Sequence, residues 1–241
     1  AVTALGFLGP DADVVIDDFA NIFLDEYQSF PIRHRITHAL ARIGTFKAAS
    51  LLEHGLRGAR DPLVRIASAE GLGFITRYKV GLPTLLKAAV EDRDYRVRAF
   101  SVRSLAQLKV KEGLKIVEKA LTDPDECVRF YAQGALVVYG VLEEKDFLYS
   151  YLEKEDIQGE KQLLHLAGAV FYVGLLKDRK AVKRLISLLS IQNPYVFKCV
   201  NIALGNITGK EITLIDEFNR DERIFVRKKW RDWWRINKGK F

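Results

Sequence analysis

The chain has 241 residues, of which 49% are hydrophobic and 29% are charged, and its formal net charge is +7. This length can bury a sizeable core, and the mixture of apolar and charged residues excludes an intrinsically disordered chain. No stretch approaches about 18 uncharged apolar residues, so the sequence predicts no transmembrane helix. With two cysteines, it is also not a disulfide-stapled mini-protein.

A small residue followed by a branched aliphatic residue recurs seven times along the chain. The pairs are Ala4-Leu5, Ala39-Leu40, Gly71-Leu72, Ser104-Leu105, Ala135-Leu136, Ala169-Val170 and Ala203-Leu204. Their aliphatic members are 31 to 35 residues apart. A near-constant period of this length is typical of a solenoid in which each repeat is one supersecondary unit.

A second recurrent position lies seven residues before the aliphatic one. It is arginine in four consecutive repeats: Arg33, Arg65, Arg98 and Arg129. Residues spaced by four, such as Val64, Ser68 and Leu72, trace one face of a helix. Asp or Pro in the preceding turn supplies helix caps and first-turn residues. In the last repeat, Arg227 is aligned with this arginine position and Trp234 with the aliphatic one.

Second helical patterns of roughly 12 residues separate these first helices. They cover residues 13–28, 46–57, 81–91, 111–121, 144–153, 179–189 and 211–219. Two helices per repeat predict an all-α fold, a right-handed superhelical α-solenoid of about seven stacked two-helix repeats. We expect a single domain over residues 1–241.

The two ends of the repeat array differ from its middle. Ala4-Leu5 aligns with Ala39-Leu40, so residue 1 falls inside a first helix, and we expect the sequence to be a fragment truncated within a repeat. At the other end, Val226, Trp230, Trp233 and Trp234 form one apolar stripe. Because a solenoid needs a cap over its open core, residues 220–241 are predicted to be a capping helix.

The amino-acid sequence of the repeats resembles that of a known family. Residues 64–73, VRIASAEGLG, are similar to the first helix of bacterial HEAT repeats of the type first noted in phycobilin lyases. Residues 95–98 and 127–129 repeat this pattern, and residues 203–209 and 230–239 resemble an ending that recurs in bacterial HEAT-repeat proteins. The resemblance implies a HEAT-like solenoid, and such arrays are mostly scaffolds.

The arginines in register have two interpretations. Four positive side chains in a line could follow a phosphate backbone. Each of them, however, follows a turn that carries Asp, so a carboxylate of one turn can pair with the arginine of a neighbouring repeat. The resemblance favours this second interpretation, a structural Asp/Arg ladder. We therefore expect Arg33, Arg65, Arg98 and Arg129 to be structural.

Candidate catalytic and metal-binding residues are few. His34 and His38 have the spacing of a helical metal pair, but no third ligand follows them nearby in the sequence. Cys127 and Cys199 are interpreted as buried thiols because neither has a partner placed for nucleophilic chemistry. We expect no catalytic residue, no bound metal and no cofactor.

Three enzyme families have HEAT-like repeats, and the local repeat sequence here is not that of one of them, the HEAT-like DNA glycosylases. Deoxyhypusine hydroxylases bind iron through His-Glu pairs at the starts of helices, where this chain has Arg65-Ile66 and Arg98-Ala99. The one His next to a Glu, in Glu53-His54, is in reversed order and in a second helix. Bilin lyases, which attach chromophores to phycobiliproteins, share the repeat, but no residue of this chain points to that activity. The sequence therefore favours a protein that is not an enzyme.

Charge is distributed unevenly along the chain. Residues 1–30 carry six acidic and no basic side chains, whereas residues 227–240 carry seven basic side chains and one acidic. These charges are either solvated faces, or a basic tail that meets an acidic partner, or complementary ends that associate head to tail. Arg231, Arg235 and Lys238 are candidate partner-binding residues of the basic tail.

Tyr149 is the other candidate for partner binding. It points about 200° away from Phe147 on a second helix, and the concave face of HEAT arrays is usually lined by second helices. The sequence thus predicts a non-enzymatic scaffold that binds another protein along that concave face. A nucleic-acid-binding array is the alternative, and a bilin-lyase-like subunit is a third. We expect a monomer without membrane insertion, in the cytoplasm unless an export signal precedes residue 1.

Overall fold

The computed structural model describes residues 2–25 and 27–241. Over these residues every regular element is an α-helix or a short 3-10 helix and no strand occurs, which confirms the all-α fold class. The chain forms two compact units, Ala1–Tyr139 and Gly140–Phe241. No described helix is both long enough and apolar enough to cross a bilayer.

The first unit alternates first and second helices of the repeats. Odd-numbered helices carry the small-aliphatic pair and even-numbered helices are the second helices. They are α1 (Val2–Gly6), α2 (Ile16–Leu24), α3 (Phe30–Ile43), α4 (Phe46–Gly58), α5 (Pro62–Phe74), α6 (Leu82–Glu91), α7 (Tyr95–Leu108), α8 (Lys111–Ala120) and α9 (Glu126–Tyr139). A 3-10 helix, Gly9–Val15, precedes α2 and takes up the start of the helix predicted at residues 13–28.

The second unit continues the same alternation up to its last helix. Its helices are α10 (Asp146–Leu152), α11 (Gly159–Leu175), α12 (Val182–Leu188), α13 (Pro194–Thr208) and α14 (Arg220–Asn237). Short 3-10 helices, Arg179–Ala181 and Lys238–Lys240, precede α12 and follow α14.

The helix predicted at residues 211–219 is wrong, because this segment is an irregular connection. Its polar side chains bind main-chain groups instead. Asn219 accepts hydrogen bonds from the first amides of α14, and the carboxylate of Glu222 accepts from the amides of Ile215 and Asp216. Side chains that satisfy main-chain donors locally compete with helix formation.

Successive first helices approach each other closely through small residues. A Cβ added at Gly6 would lie 2.8 Å from Cα of Ala39, and one added at Gly73 would lie 2.9 Å from Cβ of Ser104. In the second unit, a Cβ at Gly174 would lie 2.8 Å from Cα of Ala203. Ala39, Ser104 and Ala203 are the small members of the repeated pairs, so the pattern reports direct contact between helices of consecutive repeats.

Three of the four predicted ladder arginines bind an aspartate of the next repeat. Arg65 donates to both carboxylate oxygens of Asp92, with distances of 2.8 and 2.9 Å. Arg98 binds Asp123 in the same way at 2.7 and 2.8 Å. Arg33 pairs with Asp61. Arg129 donates to the carbonyl oxygens of Asp123 and Pro124.

A second contact of these arginines corrects the alignment of the last repeat. Arg65, Arg98 and Arg129 each donate to the carbonyl six residues earlier, and Arg223 makes the same contact with the carbonyl of Glu217. Arg223 therefore occupies the arginine position of α14, and the alignment of Arg227 was wrong by one helical turn. Trp230, seven residues later, takes the aliphatic position.

The three tryptophans of α14 are buried to different extents. Trp230 is fully buried, and its indole Nε1 donates to Oδ1 of Asn201 in α13 at 2.6 Å. Trp233 and Trp234 are half-buried, and both rings contact Phe241. The predicted stripe is thus divided between one anchor in the core and two rings nearer the surface.

The ladder predicts the effect of Arg98→Ala. The substitution leaves the carboxylate of Asp123 nearly buried without its bidentate partner, and breaking a buried ion pair typically costs about 3 kcal/mol or more. Urea unfolding should show this loss of stability. Lys87→Ala is the control, because the exposed pair between Lys87 and Glu91 should contribute below about 1 kcal/mol. Equal, small losses in both variants would contradict a structural role for Arg98.

The tryptophan anchor predicts the effect of Asn201→Ala. This substitution leaves the indole N–H of Trp230 buried without its acceptor, at a cost of about 1–3 kcal/mol. Asn206→Ala, an exposed site on the same helix, is the matched control. The midpoint of thermal unfolding followed by tryptophan fluorescence should fall in the first variant and stay unchanged in the second. Identical midpoints would show that this hydrogen bond contributes nothing.

Candidate functional site

Tyr149 is not the exposed aromatic that the sequence predicted. It is half-buried, and its hydroxyl donates to Oδ2 of Asp178 at 2.9 Å. Burial raises the pKa of Tyr149, and the hydrogen bond to Asp178 raises it further. The side chain thus links α10 to the turn before α12.

Asp178 is the centre of this small cluster. Its carboxylate also pairs with the ammonium group of Lys145 and caps the 3-10 helix at Lys180. Burial raises the pKa of Asp178, but the hydrogen bonds and charge of Lys145 and the bond from Tyr149 outweigh it, so the pKa lies below its usual value. An ionised, fully engaged aspartate indicates a structural contact within the second unit.

The exposed half of α14 combines basic and apolar side chains. This surface, called here the α14 surface, consists of Ile224, Phe225, Lys228, Lys229, Arg231, Arg235 and Ile236. Its three apolar side chains are 49%, 56% and 79% exposed in sequence order. The Lys229 ammonium lies 5.2 Å from the centroid of the Phe225 ring. A surface of this composition can offer both charge and apolar area to a partner.

A row of arginines crosses the edge of the α14 surface. Arg223, Arg227, Arg231 and Arg235 follow each other at intervals of four residues, which places like charges next to each other on one helical face. Burial lowers the pKa of Arg227, and the neighbouring charges of Arg231 and Arg223 lower it further. Arg235 forms an exposed ion pair of 3.1 Å with Asp232. Repulsion along this row costs stability.

The predicted partner-binding residues of the tail are all accessible. Arg231, Arg235 and Lys238 are exposed, the first two on the α14 surface and the third in the 3-10 helix that follows it. Their binding of a partner stays a prediction.

A cluster of buried polar side chains lies between α3, α5 and α7. Nε2 of His34 is 3.4 Å from Nε2 of His38 and 3.5 Å from Oε2 of Glu70. The other oxygen of Glu70 accepts a hydrogen bond of 2.9 Å from Arg103. His34, Glu70 and Arg103 are buried, whereas His38 is half-buried. One ligand atom from each of the histidines and Glu70 lies within 4.8 Å of the other two.

Sequence reasoning missed Glu70 as a neighbour of the histidine pair. His38 lies five residues after Arg33, Glu70 five after Arg65, and Arg103 five after Arg98. Because first helices of consecutive repeats pack side by side, equal positions in the repeat become neighbours in space. Comparison of that one position across repeats could have found the cluster.

The remaining candidates do not form a site. Cys127 and Cys199 are buried, and neither forms a disulfide in the described chain, as expected. Glu53 accepts a hydrogen bond of 2.7 Å from Thr84, while His54 points to solvent. A surface pocket beside Leu72, Tyr78 and Leu82 has no histidine, cysteine or carboxylate among its described lining residues.

The comparisons with known proteins agree with this architecture. A family model described as HEAT repeats matches residues 82–165. No curated protein matches the chain in sequence. Among solved structures, the complex of CpcE and CpcF of phycocyanin lyase from Nostoc sp. PCC7120 is similar, with a TM-score of 0.57 and 18% identity over 95% of this chain and 88% of the other.

A second solved structure is human deoxyhypusine hydroxylase in complex with glycerol. The two chains are 18% identical, and their alignment covers 95% of this chain and 100% of the hydroxylase chain, with a TM-score of 0.51. At this level of identity both structures show a shared fold. The family model places HEAT repeats within residues 82–165, and the repeated helix pairs described above continue the same two-helix pattern on either side of that range.

Proposed function

We propose that this chain is a non-enzymatic scaffold that binds another protein, and that the α14 surface makes the contact. The observation that carries this proposal is the exposure of Ile224, Phe225 and Ile236 among the four basic side chains of the α14 surface. Tyr149 on the second helix α10 was the expected contact, but its hydroxyl is already engaged by Asp178. We therefore assign partner binding to α14 instead of to the second helices.

The α14 surface is presented by a firmly anchored helix. On its inner side, Trp230 is fully buried and bonded to Asn201, and Arg223 binds the carbonyl of Glu217. At its start, Asn219 and Glu222 bind main-chain amides. A helix fixed in this way loses little conformational entropy on binding, which favours recognition.

The arginine row supplies a reason for an acidic partner. Like charges four residues apart on a helix destabilise it by about 0.2–0.5 kcal/mol per pair. Nε of Arg227 is also buried without a hydrogen-bond partner among the described residues. Carboxylates of a partner would relieve the repulsion and bind Arg231 and Arg235 as bidentate acceptors.

The apolar side chains favour a protein over a nucleic acid. A phosphate backbone offers nothing to Ile224 or Ile236, and single-stranded nucleic acids bind by stacking their bases on aromatic rings. Trp230 is buried, and Trp233 and Trp234 are half-buried against Phe241, so Phe225 is the one exposed aromatic ring of α14, whereas a single strand stacks successive bases on several rings. The similarity to the complex of CpcE and CpcF, an assembly of two proteins, also supports a protein partner.

The absence of an enzymatic activity is part of the same proposal. It is supported by the engagement of the reactive side chains in the described structure. Both cysteines are buried, and the carboxylates of Asp92 and Asp123 are held by ladder arginines. Similarity to a lyase complex and to a hydroxylase extends to the fold, at 18% identity.

The charge-reversal variant Arg231→Glu/Arg235→Glu tests the proposal. Immobilised wild-type chain and variant are exposed to nuclease-treated lysate of the source cells, and the retained proteins are quantified by mass spectrometry. We expect a protein retained by the wild type to bind the variant at least about tenfold more weakly, which is about 1.4 kcal/mol. The dissociation constants are then measured with that purified protein.

Lys115→Glu/Lys119→Glu is the matched control. It changes the same charge at the same four-residue spacing, on the exposed side of the second helix α8. Loss of binding in this variant and not in the first would return the contact to the second helices. Loss of all binding after nuclease, or at about 0.5 M salt with the variants indistinguishable, would overturn the proposal in favour of nucleic acid.

A further inference from the structure

We propose that His34, His38 and Glu70 bind a divalent transition-metal ion of the zinc class, which joins two consecutive repeats. The two histidines come from α3 and the carboxylate from α5. This inference does not depend on the proposed function, because the three residues lie in the first unit and the α14 surface lies in the second.

The distances between the ligand atoms fit a small coordination sphere. Zinc binds imidazole nitrogen at about 2.0–2.1 Å, so two ligands of a tetrahedral site are about 3.4 Å apart. The two histidine Nε2 atoms are separated by 3.4 Å, and Nε2 of His34 is 3.5 Å from the Glu70 oxygen. The remaining separation is at most 4.8 Å, and a small rotation of the half-exposed His38 ring can shorten it.

The two histidine rings bring their Nε2 atoms together. Their planes are inclined by 82° and their centroids are 4.6 Å apart, whereas the two Nε2 atoms are only 3.4 Å apart. The spacing of four residues on α3 produces this arrangement, as in other helical metal-binding pairs.

Arg103 orients the carboxylate through Oε1 of Glu70. The guanidinium binds Oε1 of Glu70 at 2.9 Å, whereas Oε2 faces His34. Hydrogen bonds of this kind fix metal-ligating carboxylates in other proteins and contribute to affinity. The positive charge of Arg103 also balances a buried carboxylate when the metal is absent, so the pocket stays folded in both states.

The ligand set determines the class of metal. Two imidazoles and one carboxylate suit Zn²⁺, Fe²⁺ or Co²⁺, whereas Ca²⁺ and Mg²⁺ require more oxygen ligands. His34 and Glu70 are only 2% and 3% exposed, so the site opens to solvent through His38. Such an enclosed site, with ligands on two repeats, would hold α3 against α5.

The test uses the full chain without a histidine tag, stripped of metal with EDTA. Isothermal titration with Zn²⁺ should show equimolar binding, the midpoint of thermal unfolding should rise, and Co²⁺ should give the visible absorption of a low-symmetry site. His38→Ala should weaken Zn²⁺ binding by more than about 100-fold, the upper limit for loss of an outer-sphere partner. This variant removes a half-exposed side chain, so it should fold.

His54→Ala is the matched control, because His54 is an exposed histidine on the neighbouring helix α4. It should leave Zn²⁺ affinity and the Co²⁺ spectrum unchanged, and Glu70→Gln should weaken both. Wild-type chain that takes up no Zn²⁺ would overturn the proposal. So would uptake that is equal in the wild type and in His38→Ala, because that result would show adventitious surface binding.

Discussion

The structure depends on the close approach of first helices from consecutive repeats. Gly6 against Ala39, Gly73 against Ser104 and Gly174 against Ala203 leave no space for an additional methyl group. Because helices this close are buried on nearly every side, their polar residues must find partners inside the protein. Ser104 meets this requirement through the carbonyl of Ala69, at 2.7 Å, in the preceding first helix. The small residue thus sets both the spacing of the repeats and the demand for internal polar contacts.

The same packing explains why charged residues occur in rows. A side chain at one position of a first helix meets the side chain at that position in the next repeat. The ladder arginines also stand at equal positions, but Arg65 binds Asp92 and Arg98 binds Asp123, so this row connects each first helix to the turn before the next one. The cluster of His38, Glu70 and Arg103 is another, and it connects three helices directly. The first row holds the repeats together, and the second creates a place where their side chains can share a ligand.

The sequence predicted the features that follow from the repeat period and missed those that depend on contacts between residues far apart in the sequence. First helices such as α5 and α7 were predictable because an aliphatic face follows a capping aspartate in both of them. The segment at 211–219 was not, because the main-chain amides of Ile215 and Asp216 donate to the carboxylate of Glu222 in α14 instead of to carbonyl groups within a helix. Tyr149 was expected in solvent because helical geometry alone cannot reveal Asp178, 29 residues later. Glu70 was missed for a similar reason, although its position in the repeat carried a usable signal.

Each ladder aspartate stands at the boundary of the repeat that follows its arginine. The separation is 27 residues for Arg65 and Asp92 and 25 for Arg98 and Asp123, yet the bidentate contact is the same. The second helices α6 and α8 both have 10 residues, so the connection between first and second helix can vary in length without disturbing the junction. Within the ladder the junction is interchangeable, because the repeats that contain α5 and α7 each receive an arginine from their predecessor and offer one to their successor. Recombination can therefore add or remove a whole repeat while each remaining arginine still meets an aspartate. The length of such an array can change without loss of the contacts between its repeats.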